Sequence, residues 1–419
     1  MQTHVNPNQR WLVASIAVCL SIVLLTASPP AIADQGSDGA EAPAASASST
    51  SLQRAASNRR LPVWAADFMA GNVSVSRSRA LRQARNFDLI VALRGTYSKH
   101  IGAMKDANPN LTVLVYLNGV MAQREQGTHY PRGWYARDRR GNKIRSVGFG
   151  NYLMRPDEPG WVKDVGRRCR VYITASGYDG CFIDVLGTAP LNDHYVTSRP
   201  VHQKSHRPWT PKAWLAATRQ IAAKTRRHVA PSPVLGNGLA NGRRYFGDAP
   251  SSTILGGLDG AMAEQFVRDA REPATNVHGG KSWRMDVRML SNTARRGRVA
   301  LSMTKVWTKA TNRQEEAVHR YALATFLLGY QPGHGFFSFR DDRGLTQFRP
   351  IWNTSLGDPI GPAVREGRAF LRYFQRGIVV VNPRGSRTTV HLGAGYRKAS
   401  GRTGNRVVLH GHRAAILTI

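Results

Sequence analysis

Tyr178-Asp-Gly-Cys-Phe-Ile-Asp184 and Leu258-Asp-Gly-Ala-Met-Ala-Glu264 follow one plan: a turn acid, a glycine, a short apolar run, then a second carboxylate where the run ends. A short run without polar interruption is how a strand covered on both faces reads. In a parallel α/β protein the carboxyl ends of the strands form the rim where ligands bind. Outward from these two motifs, eight such runs can be placed: Leu61–Phe68, Leu89–Leu93, Leu111–Leu117, Gly180–Val185, Val234–Gly238, Leu258–Ala263, Val299–Val306 and Gly335–Phe339.

The intervening segments have helical spacing. Trp161, Val165, Cys169 and Tyr172 recur by steps of four, four and three, with Pro156 and Pro159 near the start and Gly177 at the end. Ala213–Arg226 reads similarly, as does Gln314–Leu328 with Val318, Tyr321, Ala322 and Phe326 on one side. Eight alternations predict a (β/α)8 TIM barrel. A doubly wound sheet would carry a glycine-rich phosphate loop after its first strand, and Asp67-Phe-Met-Ala-Gly71 is no such loop. After Phe374 the pattern shortens to Gly377–Asn382, Thr388–Leu392, Val407–Leu409 and Ala414–Ile419. These runs predict a small antiparallel β-sandwich-like domain over 375–419, leaving 59–374 to the barrel.

The chain has 419 residues, and the first 33 read as a signal peptide: Arg10, an apolar run from Trp11 to Leu25, then Ser28-Pro-Pro and Ala31-Ile-Ala33. A retained N-terminal anchor is the competing reading. Residues 34–58 are rich in Ala, Ser and Gly and read as a disordered leader. Cys19 falls in the signal, so Cys169 and Cys181 are the cysteines left to the mature chain. The helix and strand patterns face the two thiols toward one layer, as either a disulfide or two buried thiols.

A net charge of +33 raises the question of nucleic acid, but Arg and Lys are scattered, without a basic stripe or zinc-finger spacing. The charge therefore reads as solvated faces or as attraction to anionic glycans and envelope polymers outside the cell. No specific nucleic acid, cofactor or metal is implied. His194, His202 and His206 lack ligand spacing, and zinc-helix, nucleophile-elbow and Walker motifs are missing from the sequence.

Asp184 and Glu264 sit where packing explains them poorly, because a buried carboxylate needs partners to offset its desolvation. Asp179 and Asp259 precede their strands and read as turn or cap residues. Two rim carboxylates are the equipment for cleaving a glycosidic bond: one attacks or activates water, the other protonates the leaving oxygen. Carboxyls about 5–5.5 Å apart give retention and about 6.5–9.5 Å inversion; retention is the working expectation. Other rim positions fall to Asp67, Tyr116, Asn118, Asn237, Lys305, Trp307 and Arg340, with His334 before the last strand and Asp341 and Asp342 after it. Ring and amide side chains there suit sugars, which stack on aromatic faces and take paired hydrogen bonds. The long segments Asn118 to Pro156 and Leu186 to Thr210 leave from the same end and are expected to wall the cleft.

Tyr178 to Gly187, the Asn237-Gly238 strand end, Ala263-Glu-Gln-Phe266 and the terminal sheet resemble a glycoside hydrolase family, the hypothetical glycosyl hydrolase group fifteen, from about Leu61 to Ile419. The Asp179-Gly-Cys-Phe-Ile-Asp184 strand is also similar to strands of the α-galactosidase and α-glucosidase superfamily. That resemblance implies Asp184 as nucleophile and, from strand six, Glu264 as acid/base. Other relatives take the acid/base from strand five, where this chain has Asn237. The expectation is an extracellular glycoside hydrolase; a non-catalytic glycan- or envelope-binding protein on the same scaffold is the alternative.

Overall fold

The structure is a computed structural model that describes residues 60–122, 129–397 and 401–419. The signal and leader expected over 1–58 lie outside the described residues. Eight parallel strands form one sheet in chain order: β1 (Trp64–Ala66), β2 (Leu89–Ala92), β3 (Thr112–Asn118), β4 (Gly180–Asp184), β5 (Val234–Asn237), β6 (Gly260–Ala263), β7 (Val299–Lys305) and β8 (Gly335–Arg340). A parallel bridge between Val63 and Phe337 joins the last strand to the first, so the sheet curls into a barrel.

Side-chain alternation sorts the strands into two cores. Trp64, Leu89, Leu114, Phe182, Leu235, Met262, Leu301 and Phe336 fill the barrel. Val63, Ile90, Val113, Cys181, Ile183, Val234, Ala261 and Ala300 face the helix layer. That layer holds α1 (Arg77–Asn86), α2 (Ile101–Ala107), α3 (Pro159–Ser176), α4 (Pro211–Val229), α5 (Gly280–Arg295) and α6 (Asn312–Gly329).

Local chemistry sets the helix ends. Glu158 caps α3, Pro159 opens it, and Gly177 closes it at φ 71°. Thr311 and Gln314 form a reciprocal capping box on α6. The alternation is less regular than eight equal units. After β5 the chain makes only a short turn of helix (Gly242–Tyr245) and a 3-10 segment (Ser251–Gly257). Gly257 lies against the backbone of α4, where an added Cβ would stand 2.6 Å from Arg219 O. β8 leads to the terminal sheet through another 3-10 turn, Pro350–Asn353.

That sheet is antiparallel and six-stranded: β9 (Val364–Glu366), β10 (Ala369–Phe374), β11 (Gly377–Asn382), β12 (Thr388–Arg397), β13 (Thr403–Leu409) and β14 (Arg413–Thr418), in the order β9-β10-β11-β14-β12-β13. It begins before the expected change at Phe374: β9 and β10 form a hairpin through Gly367, at φ 57°, and β10 pairs with β11. Polar residues interrupt this hairpin, which hid its two-residue period. Cys169 on α3 and Cys181 on β4 are joined in a disulfide, tying the helix to the strand that ends in Asp184.

Candidate active site

The interior row of each strand continues past the core into a polar side chain at the rim. Phe182 leads to Asp184, Leu235 to Asn237, Met262 to Glu264, Met303 to Lys305, and Leu114 to Tyr116 and Asn118. Register puts Asn118 beside Asp184 and Tyr116 beside Phe182. The period of two therefore brings residues from five strands to one place.

Hydrogen bonds link them. Asn237 Nδ2 donates to Asp184 Oδ1 at 2.9 Å and to Glu264 Oε2 at 2.8 Å. Asp184 Oδ1 also accepts from the Val185 N–H at 2.8 Å, and Oδ2 from the Tyr116 hydroxyl at 2.6 Å. Lys305 Nζ lies 2.5 Å from Glu264 Oε1. Val185 has φ 61°, a costly conformation for a β-branched residue, and in it the N–H turns back onto the Asp184 carboxylate. Asn118 accepts from the Val120 and Met121 N–H groups through Oδ1, anchoring the start of the long loop.

Other expected rim residues are engaged elsewhere. Asp67 is fully buried, accepting from Tyr97, Gln83 and the Thr346 N–H. Trp64 and Ala66 face the barrel, so alternation turns Asp67 to the helix layer. The residue that reaches the site from the 3-10 turn after β1 is Phe68, whose ring stacks 4.9 Å from Tyr116 and 5.6 Å from Phe182. Arg340 is 1% exposed and donates to Thr346 and to the Asp342 and Gly344 carbonyls. It pins the loop after β8 and presents no surface to a substrate. Trp307 does follow β7 at the rim, but two cations already lie over its ring: Lys305 at 4.3 Å and Arg343 at 5.1 Å from the centroid. His334 precedes β8 at the opposite end and bonds to the Arg298 carbonyl.

The two long loops form one wall. Ser146 bridges Val196, the Val147 N–H donates to Tyr195 O at 2.9 Å, and the Thr197 N–H donates to Arg145 O at 2.8 Å. Trp209 packs edge-on against Trp214 and beside His202, as part of the wall's support. Among the described residues, no group of three or more His, Cys, Asp or Glu is arranged to hold a metal ion.

Residues 105–378 match the family described as hypothetical glycosyl hydrolase family 15, more than half of the chain. The chain belongs to that family. No curated protein matches it. In fold, this family-15 chain is similar to a noncanonic maltogenic α-amylase, AmyB from Thermotoga neapolitana, at TM-score 0.53 and 12% identity, over 88% of this chain and 99% of that one. It is similar also to Amy13B of Eubacterium rectale, at TM-score 0.53 and 7% identity, over 89% and 99% respectively. At such identities the likeness is one of fold.

The electrostatics of the family-15 site separate the two acids. Burial, and then the charge of Glu264, push the Asp184 carboxyl up against the pull of Tyr116, Asn237 and the Val185 N–H. Burial acts upward on Glu264 as well, but the Lys305 charge and hydrogen bond, with Asn237, outweigh it and hold Glu264 below the usual carboxylate range. Glu264 keeps 32% of its side chain exposed. Burial and the Asp184 charge raise the Tyr116 hydroxyl, which stays protonated and donates. Tyr195 is raised by burial and then by the charges of both acids, which places it beside them. It comes from the loop after β4, where no periodicity marks it.

Proposed function

We propose that this chain is a glycoside hydrolase acting outside the cytoplasm on a poly- or oligosaccharide, with Asp184 and Glu264 as its paired carboxylates. The observation that carries the reading is the single amide nitrogen of Asn237 between them. Contacts of 2.9 and 2.8 Å to one atom keep Asp184 Oδ1 and Glu264 Oε2 within 5.7 Å of each other. A gap of about 5–5.5 Å supports double displacement with retention, whereas inversion needs about 6.5–9.5 Å for a water. Kinship with the α-galactosidase and α-glucosidase type draws support from an acid ending the fourth strand. The Cys169–Cys181 disulfide supports export, with residues 1–33 as the cleaved leader.

The roles follow from where the proton rests. Burial and the Glu264 charge push Asp184 toward keeping its proton, while Lys305 draws Glu264 toward its ionised form. Glu264 attacks the anomeric carbon as Asp184 gives its proton to the departing oxygen, leaving a glycosyl ester on Glu264. Asp184, now ionised, takes a proton from water; the hydroxide displaces Glu264 from the anomeric carbon and restores both groups. This reverses the roles implied by the resemblance. The three donors on Asp184 favour its ionised form and are the observation behind the opposite assignment.

Turnover of a panel of aryl glycosides and oligosaccharides decides between them. Asp184→Ala is expected to keep cleaving dinitrophenyl glycosides, which need no acid, and to be accelerated by azide, while Glu264→Gln loses both substrates. The mirror-image pattern returns the nucleophile to Asp184. Glycan binding without any wild-type turnover would instead establish the non-catalytic alternative.

A further inference from the structure

Beyond Lys305 the site continues into a second cation that the proposed chemistry does not use. Lys305 Nζ, already paired with Glu264, stands 4.3 Å from the centre of the Trp307 ring, and Arg343 Cζ stands 5.1 Å from the same centre. The two positive groups are therefore within 9.4 Å of each other. Their surroundings differ. Lys305 is buried and has its carboxylate, whereas Arg343 is exposed and makes no hydrogen bond or ion pair among the described residues.

The acids beside it are committed. Asp341 pairs with Arg349. Asp342 faces Arg340 at 3.6 Å and accepts from the Gly344 N–H at 3.1 Å and Gln347 at 3.0 Å. The loop that carries Arg343 is fixed at both ends. Arg340 binds the Asp342 and Gly344 carbonyls, and Thr346 is tied to β1 through the Asp67 carboxylate at 2.7 Å and the Ala66 N–H at 2.9 Å. The Trp307 backbone is held by its amide N–H on Ala270 O at 3.1 Å. A guanidinium carried on a tethered loop, laid over a ring and without a protein partner for its donors among the described residues, is available to a planar anion.

We propose that Arg343, seated over Trp307, binds the anionic group of an acidic sugar, which makes the substrate an acidic rather than a neutral glycan. The inference rests on the glycosidase reading of Asp184 and Glu264 and adds the substrate class to it. The net charge of +33 acts in the same direction, drawing polyanions toward the cleft. A carboxylate matches the fork of the guanidinium in two parallel hydrogen bonds; a sulfate ester offers the same charge without the planar match.

The test uses the full chain and three probes: an oligouronide, its methyl ester, and a sulfated neutral oligosaccharide. Binding is measured by calorimetry on the Glu264→Gln protein with and without Arg343→Gln, and turnover on the wild type with and without the same change. The oligouronide is expected to bind more tightly than its ester, and Arg343→Gln to shrink that preference by about tenfold. Arg343→Lys is expected to restore the charge preference only in part, since the fork is lost. Preference for the sulfated probe over the uronide would move the anion to a sulfate ester while keeping the Arg343 receptor. Equal binding of acid and ester, or an undiminished preference in Arg343→Gln, overturns the proposal. The binding arm stands without catalysis, so a chain that binds uronide through Arg343 but cleaves nothing would overturn the glycosidase reading alone.

Discussion

Asn237 commits both amide hydrogens to acids, so Asp184 and Glu264 titrate as a coupled pair. Lys305 pulls the Glu264 carboxyl down, while burial and the Glu264 charge push that of Asp184 up. A carboxyl raised in the folded state binds its proton more tightly there than in the unfolded chain. Stability therefore falls as pH rises from the ordinary Asp value of 3.8 through the raised one, and the whole penalty is present above it. Asp184→Asn removes that penalty. It is expected to stabilise the protein near neutral pH and to leave it unchanged near pH 3, read from urea midpoints at the two pH values. No change at neutral pH would mean that the donors on Asp184 fully offset its burial. Strand parity made most of this site legible: Asp184, Asn237, Glu264, Lys305 and Tyr116 all follow from counting by two out of the core. Applied to β1 as well, the same count would have chosen Phe68 over Asp67. Tyr195 and Arg343 lie in loops, where there is no period to count.

At the scale of the strand, the two opening motifs resolve into three tasks. The first acid caps a neighbouring strand: Asp179 accepts from the Val113 N–H at 2.6 Å and Asp259 from the Val234 N–H at 3.0 Å, and Asp88 does the same for Val63 at 3.4 Å. The device thus recurs at β2, β4 and β6, each time with a cation: Arg60, Lys105 or Arg226. The glycine permits contact, since a Cβ on Gly180 would stand 2.0 Å from Pro233 O and one on Gly260 2.4 Å from Val299 O. The final acid enters the cleft. Caps of the same design differ in burial: the Asp259 side chain is 0% exposed and Asp179 is 32% exposed. Removing a carboxylate from a buried pair leaves cations and an N–H unmatched, at a cost of about 3–5 kcal/mol, whereas exposed pairs contribute about 0–1 kcal/mol. Asp259→Ala is accordingly expected to destabilise by at least 2 kcal/mol more than Asp179→Ala in guanidinium melts. Equal losses would show that the capped N–H dominates over the ion pair. Eight strands were readable because each is a short apolar run; the missing helix after β5 was not, because Ser251–Gly257 gains its place from contact with α4 and not from a pattern of its own.

Across the whole molecule, the terminal sheet is fastened to the barrel by a buried cation. Arg372 on β10 is 3% exposed and donates to the Leu327, Leu328 and Tyr330 carbonyls at the end of α6, and to the Gly361 carbonyl at 2.8 Å. The last carbonyls of a helix have no partner within it, and a side chain from the neighbouring sheet satisfies them here. Burial pulls the guanidinium down to about 10, which leaves it charged through neutral pH. The α6 helix also follows β7, the strand that ends in Lys305, so the clamp bears on the far end of an element next to the site. Arg372→Leu fills the space but strands several carbonyls between the sheet and α6, each a buried acceptor worth about 1–3 kcal/mol when left unmade. Calorimetry is expected to show a midpoint lower by several degrees. A second transition resolved from the first would locate the loss at the joint between barrel and sheet; a single, undisplaced transition would mean that apolar packing of α6 on β11 and β14 holds the two together without the cation.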